Sequence, residues 1–226
     1  MNKYINTFLL SACLSVTLSA ELVKTYFDDA KKELKAETHY KDGTRTDIKE
    51  GVKDGIEKVY YQIGKVAYVV NYVDGKRDGL MTWYDKEGNK LSQEMYEKGK
   101  LQGKETSYFP NGALKHTVTY INDQKEGYQK EYYDNGVLAL EVLYVHGKKE
   151  GKQKEYSYSG KLYSEVIYKN NYKEGEQKWY DENGNVIKTQ VFKHDRPVDV
   201  MKMLKEQNEK QKVIINSIDF SPQKPQ

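Results

Sequence analysis

Four histidines, one cysteine and a periodic row of carboxylates are the groups in this sequence that could bind a metal, activate water or act as a nucleophile. The histidines are His39, His116, His146 and His194. His146 and His194 hold equivalent places two repeat units apart, which in a sheet is four strands, roughly 19 Å at about 4.8 Å per strand. That separation is too wide for one metal ion. The acidic row is Asp78, Glu126, Glu150 and Glu174. Its members stand roughly 10 Å apart on the same reckoning, wider than a paired-carboxylate glycosidase needs. Asp181-Glu182-Asn183-Gly184-Asn185 starts like a calcium loop, but the twelfth position, where a bidentate Glu is required, is Phe192. No Gly-x-Ser-x-Gly, His-Glu-x-x-His or Walker-type phosphate loop occurs. The expectation is a chain without catalytic residues, cofactor or metal, whose acidic row and histidines are solvated loop groups.

The elements that carry these residues are repeats. Gly55, Gly79, Gly103, Gly127, Gly151 and Gly175 open six units with a constant period of 24 residues. Each unit carries a Tyr on a first segment (Tyr60, Tyr84, Tyr108, Tyr132, Tyr156, Tyr180) and an aromatic on a second (Tyr72, Tyr96, Tyr120, Tyr144, Tyr168, Phe192). Between them stands a second Gly, preceded by Asn in Asn111-Gly112, Asn135-Gly136 and Asn183-Gly184. A fixed period of this length marks a quasi-one-dimensional array, and Asn-Gly between patterned runs marks hairpins. The fold class is all-β: an elongated, single-layer antiparallel meander of hairpin repeats, about twelve strands, with a short C-terminal helix.

Pro110 sits where the first central position of a type I turn would fall, which predicts three-residue hairpin loops with Gly left-handed. That register puts the two tyrosine ladders on one face, together with Val66, Leu114, Leu138, Leu162 and Val186 and with Val70, Val118, Val142 and Val166. The opposite face is then mixed and solvated. It carries Trp83 and Trp179, the candidate partner contacts, beside Glu131, Glu155, Lys115 and Gln93. Charged runs such as Gly75-Lys76-Arg77-Asp78-Gly79 and Gly147-Lys148-Lys149-Glu150-Gly151 read as solvated turns between units.

Residues 1–20 have the pattern of a signal peptide: Lys3, an apolar run from Tyr4 to Leu18, and a small residue at Ala20. Cys13 is the chain's one cysteine, so cleavage after Ala20 leaves no thiol or disulfide. Leu10-Ser11-Ala12-Cys13 resembles a lipobox, which keeps a lipidated Cys13 open as an alternative. Residues 21–54 read as a degenerate N-terminal repeat and connector, 55–198 as the six repeats, and 199–226 as a C-terminal helix and disordered tail. The helix, from Val200 to about Lys212, is expected to fold back on the last unit with Met203 and Leu204 inward, covering the sheet end beside Phe192 and Tyr180. The net charge of +3 is small, the signs are interspersed and no basic block occurs, which argues against nucleic acid.

The segments Tyr132-Tyr133-Asp134-Asn135-Gly136 and Tyr144-Val145-His146-Gly147-Lys148-Lys149-Glu150-Gly151 resemble the MORN repeat in its bacterial variant form. The resemblance runs from Gly55 to about Val198. It implies a one-layer β-meander. Many bacterial members are labelled YwqK-type antitoxins of toxin–antitoxin systems, and eukaryotic MORN proteins are linked to membrane or protein scaffolding. Together with the export segment, it implies a periplasmic or cell-surface scaffold that binds a protein partner. An antitoxin or immunity protein against a cognate toxin, and a cell-envelope binder of lipid or glycan, stay open as alternatives. Membrane contact is expected only through the signal peptide or a lipidated Cys13.

Overall fold

The computed structural model describes residues 21–28, 30–41 and 51–217. Residues 1–20 with Cys13, most of the expected connector and the final residues 218–226 lie outside the described residues. Strands β1 (Glu21–Tyr26) and β2 (Leu34–Tyr40) form the degenerate first hairpin. The array follows as β3 (Lys53–Tyr60), β4 (Val66–Val73), β5 (Lys76–Arg77), β6 (Gly79–Tyr84), β7 (Lys90–Glu97), β8 (Lys100–Leu101), β9 (Gly103–Tyr108) and β10 (Leu114–Ile121). It continues through β11 (Gln124–Tyr132), β12 (Leu138–Val145), β13 (Lys148–Tyr156), β14 (Leu162–Lys169), β15 (Tyr172–Tyr180), β16 (Val186–Lys193) and β17 (Arg196–Val198), and ends in helix α1 (Val200–Ser217). Each strand pairs antiparallel with its sequence neighbour, β5–β6 and β8–β9 each acting as one interrupted strand. The result is one open 17-stranded meander, not closed into a barrel.

Two turn types alternate along it. Within a unit the loop has three residues, as Pro110 predicts: the Gly112 N–H donates to the Phe109 carbonyl and the Phe109 N–H to the Ala113 carbonyl, both at 2.8 Å. Gly112 has φ +81°, the left-handed value for which a side chain is penalised. Between units the turns have two residues, both left-handed, as in His146 (φ 48°) and Gly147 (φ 76°). That is the type I′ geometry, whose twist matches antiparallel strands.

The expected register is only half right. Three residues past the Gly that ends each three-residue loop, the second strand bulges. Trp83 faces Ser92 and Tyr84 faces Lys90, so Leu91 is left over. Glu131 faces Leu140 and Tyr132 faces Leu138, so Ala139 is left over. One extra residue exchanges the faces of everything beyond it. The two tyrosine ladders therefore lie on opposite faces, which corrects the same-face expectation. Tyr132 and Leu138 share one face; Val142 and Tyr144 share the other.

On the valine face the second-strand valines are the most deeply buried side chains. Val70, Val118 and Val142 are each 1% exposed, as is Met81 in the row between. Among the described residues no second layer covers them. They are short side chains in a trough walled by longer ones: Val142 lies opposite Gln129, with Leu140 and Tyr144 at its sides along the strand. Dispersion and exclusion of water thus come from neighbours within the same face.

The array ends differently from expectation. Strand β17 pairs with β16, and Pro197, which has no N–H to donate, faces Phe192 at the sheet edge. Asp199 caps α1 by accepting from the Lys202 N–H at 3.0 Å. Among the described residues no strand packs along the helix, and Leu204 and Met201 are exposed; the Met203 side chain lies outside the described residues. The last strand of the sheet is β17, and among the described residues the expected fold-back of the helix is not seen.

Candidate functional site

On the valine face the repeat builds a ladder of rings and cations. Lys53 stands 5.0 Å over the Tyr72 ring, Arg77 5.2 Å over Tyr96, Lys125 5.0 Å over Tyr144, Lys149 4.8 Å over Tyr168 and Lys173 5.0 Å over Phe192. Each cation stands two residues before an opening Gly, so the 24-residue period places it. In the third unit that place is taken by Leu101. The ammonium groups continue into hydrogen bonds. Lys125 donates to Gln129 at 2.7 Å, and Gln129 donates to Glu131 at 2.9 Å. Lys149, Gln153 and Glu155 repeat the chain, and Ser164 donates to Glu155 at 2.8 Å. In the first unit Lys53 meets a carboxylate directly, Glu57 at 2.6 Å, which also accepts from Thr38 and Tyr68.

The electrostatics follow this wiring. Burial, then the like charges of Lys125 and Lys173, push the Lys149 ammonium below its ordinary range. Lys53 feels the same burial, but the hydrogen bond and charge of Glu57 hold it above that range. Burial, with Glu57 and Glu105 as neighbours respectively, pushes Tyr68 and Tyr120 up to about 12. Tyr60, on the other face, is pushed to about 12 by burial and its bond to Glu37. Burial also lowers His116.

Trp83 and Trp179 stand on this valine face, not on a solvated one. Trp83 packs against Tyr68 with ring centroids 4.7 Å apart, and the Lys188 ammonium sits 4.7 Å over Trp179. Glu131 and Glu155 share the face with them. Sequence reasoning missed the cation ladder because it read Arg77 and Lys149 as parts of solvated turns. Their exact period was the available signal.

The acidic row acquires a structural part. Asp78 accepts from the Lys98 backbone N–H at 3.0 Å, Glu126 from His146 at 2.8 Å, Glu150 from Asn170 at 2.8 Å and Glu174 from His194 at 2.9 Å. Each carboxylate thus holds the first residue of a type I′ turn. His146 and His194 are those first residues, each on its own turn. Among the described residues no three His, Cys, Asp or Glu side chains come together.

The opposite face is open. Its first-strand tyrosines join carboxylates: Tyr60 to Glu37 at 2.6 Å and Tyr156 to Glu141 at 3.3 Å. Lys154 and Lys152 pair with Glu141 and Glu165. Next to these lies an apolar stripe that none of the described residues covers. Leu80 is 46% exposed, Met95 39%, Tyr128 56% and Ile167 38%. Leu80 faces Met95 and Tyr128 faces Leu143 across strand pairs. Lys104 and Lys152 interrupt the stripe.

The family model for the MORN repeat variant matches residues 53–74, 77–98, 101–122, 125–146, 149–170 and 173–194, more than half of the chain. The chain belongs to this family. Its six matches coincide with the six hairpin units, and each begins at a ladder cation or at Leu101. The comparison with curated proteins gives no match. Among solved structures, a GtfA/B complex bound to UDP and GlcNAc is 16% identical with a TM-score of 0.23; the similarity covers 51% of this chain and 22% of that one. A porin-like protein from Bacteroides uniformis is 13% identical with a TM-score of 0.21, covering 80% of this chain and 87% of that one.

Proposed function

We propose that this MORN repeat protein is an exported, non-enzymatic scaffold that binds a protein partner through the open face of its sheet. The observation that supports it most is the uncovered stripe of Leu80, Met95, Tyr128 and Ile167, in a chain whose other face is filled by its own rings and cations. Exposed apolar side chains rimmed by polar groups, here Lys104 and Lys152, mark interaction sites, and Tyr and Met are enriched in them. Trp83 and Trp179 are engaged by Tyr68 and Lys188, so the contact is assigned to the open face instead. Export rests on the pattern of residues 1–20.

A photo-crosslinking residue at Leu80 or Tyr128, introduced in the native host, tests the partner. The expected outcome is one dominant protein adduct, absent when the crosslinker stands in the Asn111 loop. A captured toxin would make the protein an antitoxin or immunity protein, and a lipid or glycan adduct would make it an envelope binder. Equal background labelling at both positions would end the open-face reading. Mass spectrometry of the native N-terminus tests export: Glu21 marks cleavage, diacylglyceryl Cys13 marks a lipoprotein, and an intact Met1 in cytosol refutes both.

A further inference from the structure

Three Asn-Gly steps occupy equivalent loops, and the structure treats one of them differently. The Asn111 side chain is held twice: its Nδ2 donates to the Asp134 carbonyl at 3.0 Å and its Oδ1 accepts from the Ala113 N–H at 2.9 Å. Asn135 repeats this, to the Tyr158 carbonyl at 3.1 Å and from the Val137 N–H at 3.0 Å. In both, the carbonyl belongs to the loop of the following unit. Asn183 lies in the last unit, where no following loop exists. Its backbone N–H donates to Asp181, but among the described residues its side-chain amide makes no hydrogen bond. The backbone of residue 185, equivalent to Ala113 and Val137, is held by Asp181 at 2.8 Å instead.

We infer that Asn183 is a site of spontaneous deamidation in the folded protein, and that Asn111 and Asn135 are protected by the unit that follows them. The Gly184 nitrogen attacks the Asn183 side-chain carbonyl carbon. The new N–Cγ bond forms, the Cγ–Nδ2 bond breaks, and the amide leaves as ammonia with the proton from Gly184. Water then opens the succinimide to aspartate or isoaspartate. All three loops hold the attacking nitrogen alike: Gly112, Gly136 and Gly184 donate to carbonyls at 2.8, 2.9 and 3.0 Å. Opening the loop is therefore a shared requirement. Asn111 and Asn135 must also release two side-chain hydrogen bonds, each contributing about a factor of 5. Isoaspartate inserts a methylene into a backbone that turns through Gly184 at φ +84°, so the change loosens the β15–β16 hairpin first. It also adds a negative charge beside Asp181 and Glu182.

Peptide mapping by mass spectrometry of the full chain, aged in mildly alkaline buffer, follows the three sites together. The expected result is conversion at Asn183 at least about tenfold faster than at Asn111 or Asn135. The same chain aged in concentrated urea is the control, and there the three rates should converge. Equal rates in the folded protein would overturn the inference. So would a preference for Asn183 that persists undiminished in urea, because sequence rather than fold would then set it.

Discussion

Leu80 and Met81 are adjacent in sequence and on opposite faces, and their truncations should differ sharply. Met81 is 1% exposed, in the row between Val70 and Glu94, whereas Leu80 is 46% exposed. Removing a buried Met side chain costs about 2–5 kcal/mol, the spread reflecting how far the surroundings collapse. In a one-layer sheet the neighbours can settle and water can enter, so Met81→Ala should fall near the lower end, about 2–3 kcal/mol. Leu80→Ala loses only partial burial, about 0.5–1 kcal/mol. Trp83 reports on this region, two residues along and on the same face as Met81. In a Trp179→Phe background, urea unfolding followed by tryptophan fluorescence isolates it. With a urea slope of about 1–3 kcal/mol per molar, Met81→Ala should lower the midpoint by roughly 1 M, and Leu80→Ala by a few tenths. A Leu80→Ala shift as large as that of Met81→Ala would refute the face assignment. The same pair guards the functional test, since Leu80 can be changed without unfolding the sheet.

Lys53→Met should cost about 3 kcal/mol in chemical unfolding, because it strands the buried Glu57 carboxylate, and Lys53→Met with Glu57→Leu should recover most of it. Glu150→Ala should cost about 1 kcal/mol and accelerate hydrogen exchange at the Asn170 N–H, which loses its acceptor. Tyr60, Tyr68 and Tyr120 titrate near 12 in the folded chain, above their usual value of 10. The unfolded chain gives up these protons first, so their contribution is full below pH 10 and is lost as pH rises from 10 towards 12; spectroscopic titration should show a late tyrosinate phase that merges with the main one in denaturant. Truncation after Asp199 should leave the melting temperature unchanged, because among the described residues α1 packs along no strand, and a fall of several degrees would restore the capping role.

The period, the strand order and the three-residue loops were legible because each rests on residues with one conformational meaning. Gly112 supplies a left-handed φ, and Pro110 fixes the turn position before it. The cation ladder was equally periodic but was read from local composition: Lys148-Lys149-Glu150 looks like a solvated turn. In the structure Lys148 is exposed, Lys149 stands over Tyr168, and Glu150 holds the next turn. Alternation along β13 separates these fates, and composition cannot. The helix was legible as a helix, but its docking was not. An apolar stripe states that a helix can bury a face, not which surface is within its reach.

The bulge is the decisive feature that the sequence hides. The left-over residues are Ala67, Leu91, Lys115, Ala139, Tyr163 and Ile187, six positions with no common chemistry. A residue outside the ladder makes no cross-strand pair, so nothing in the repeat constrains its type. Its effect is nevertheless global, since one residue per hairpin sends the two aromatic ladders to opposite faces. The second-strand aromatics then receive the cations and close over the valines. The first-strand tyrosines are left with Glu37 and Glu141 on the other side, beside Leu80, Met95 and Tyr128. Had both ladders shared a face, twelve rings would have covered one side and left Trp83 and Trp179 among polar and charged groups on the other. The bulge divides them, so the sheet carries its own core on one side and leaves an apolar, tyrosine-lined surface open on the other.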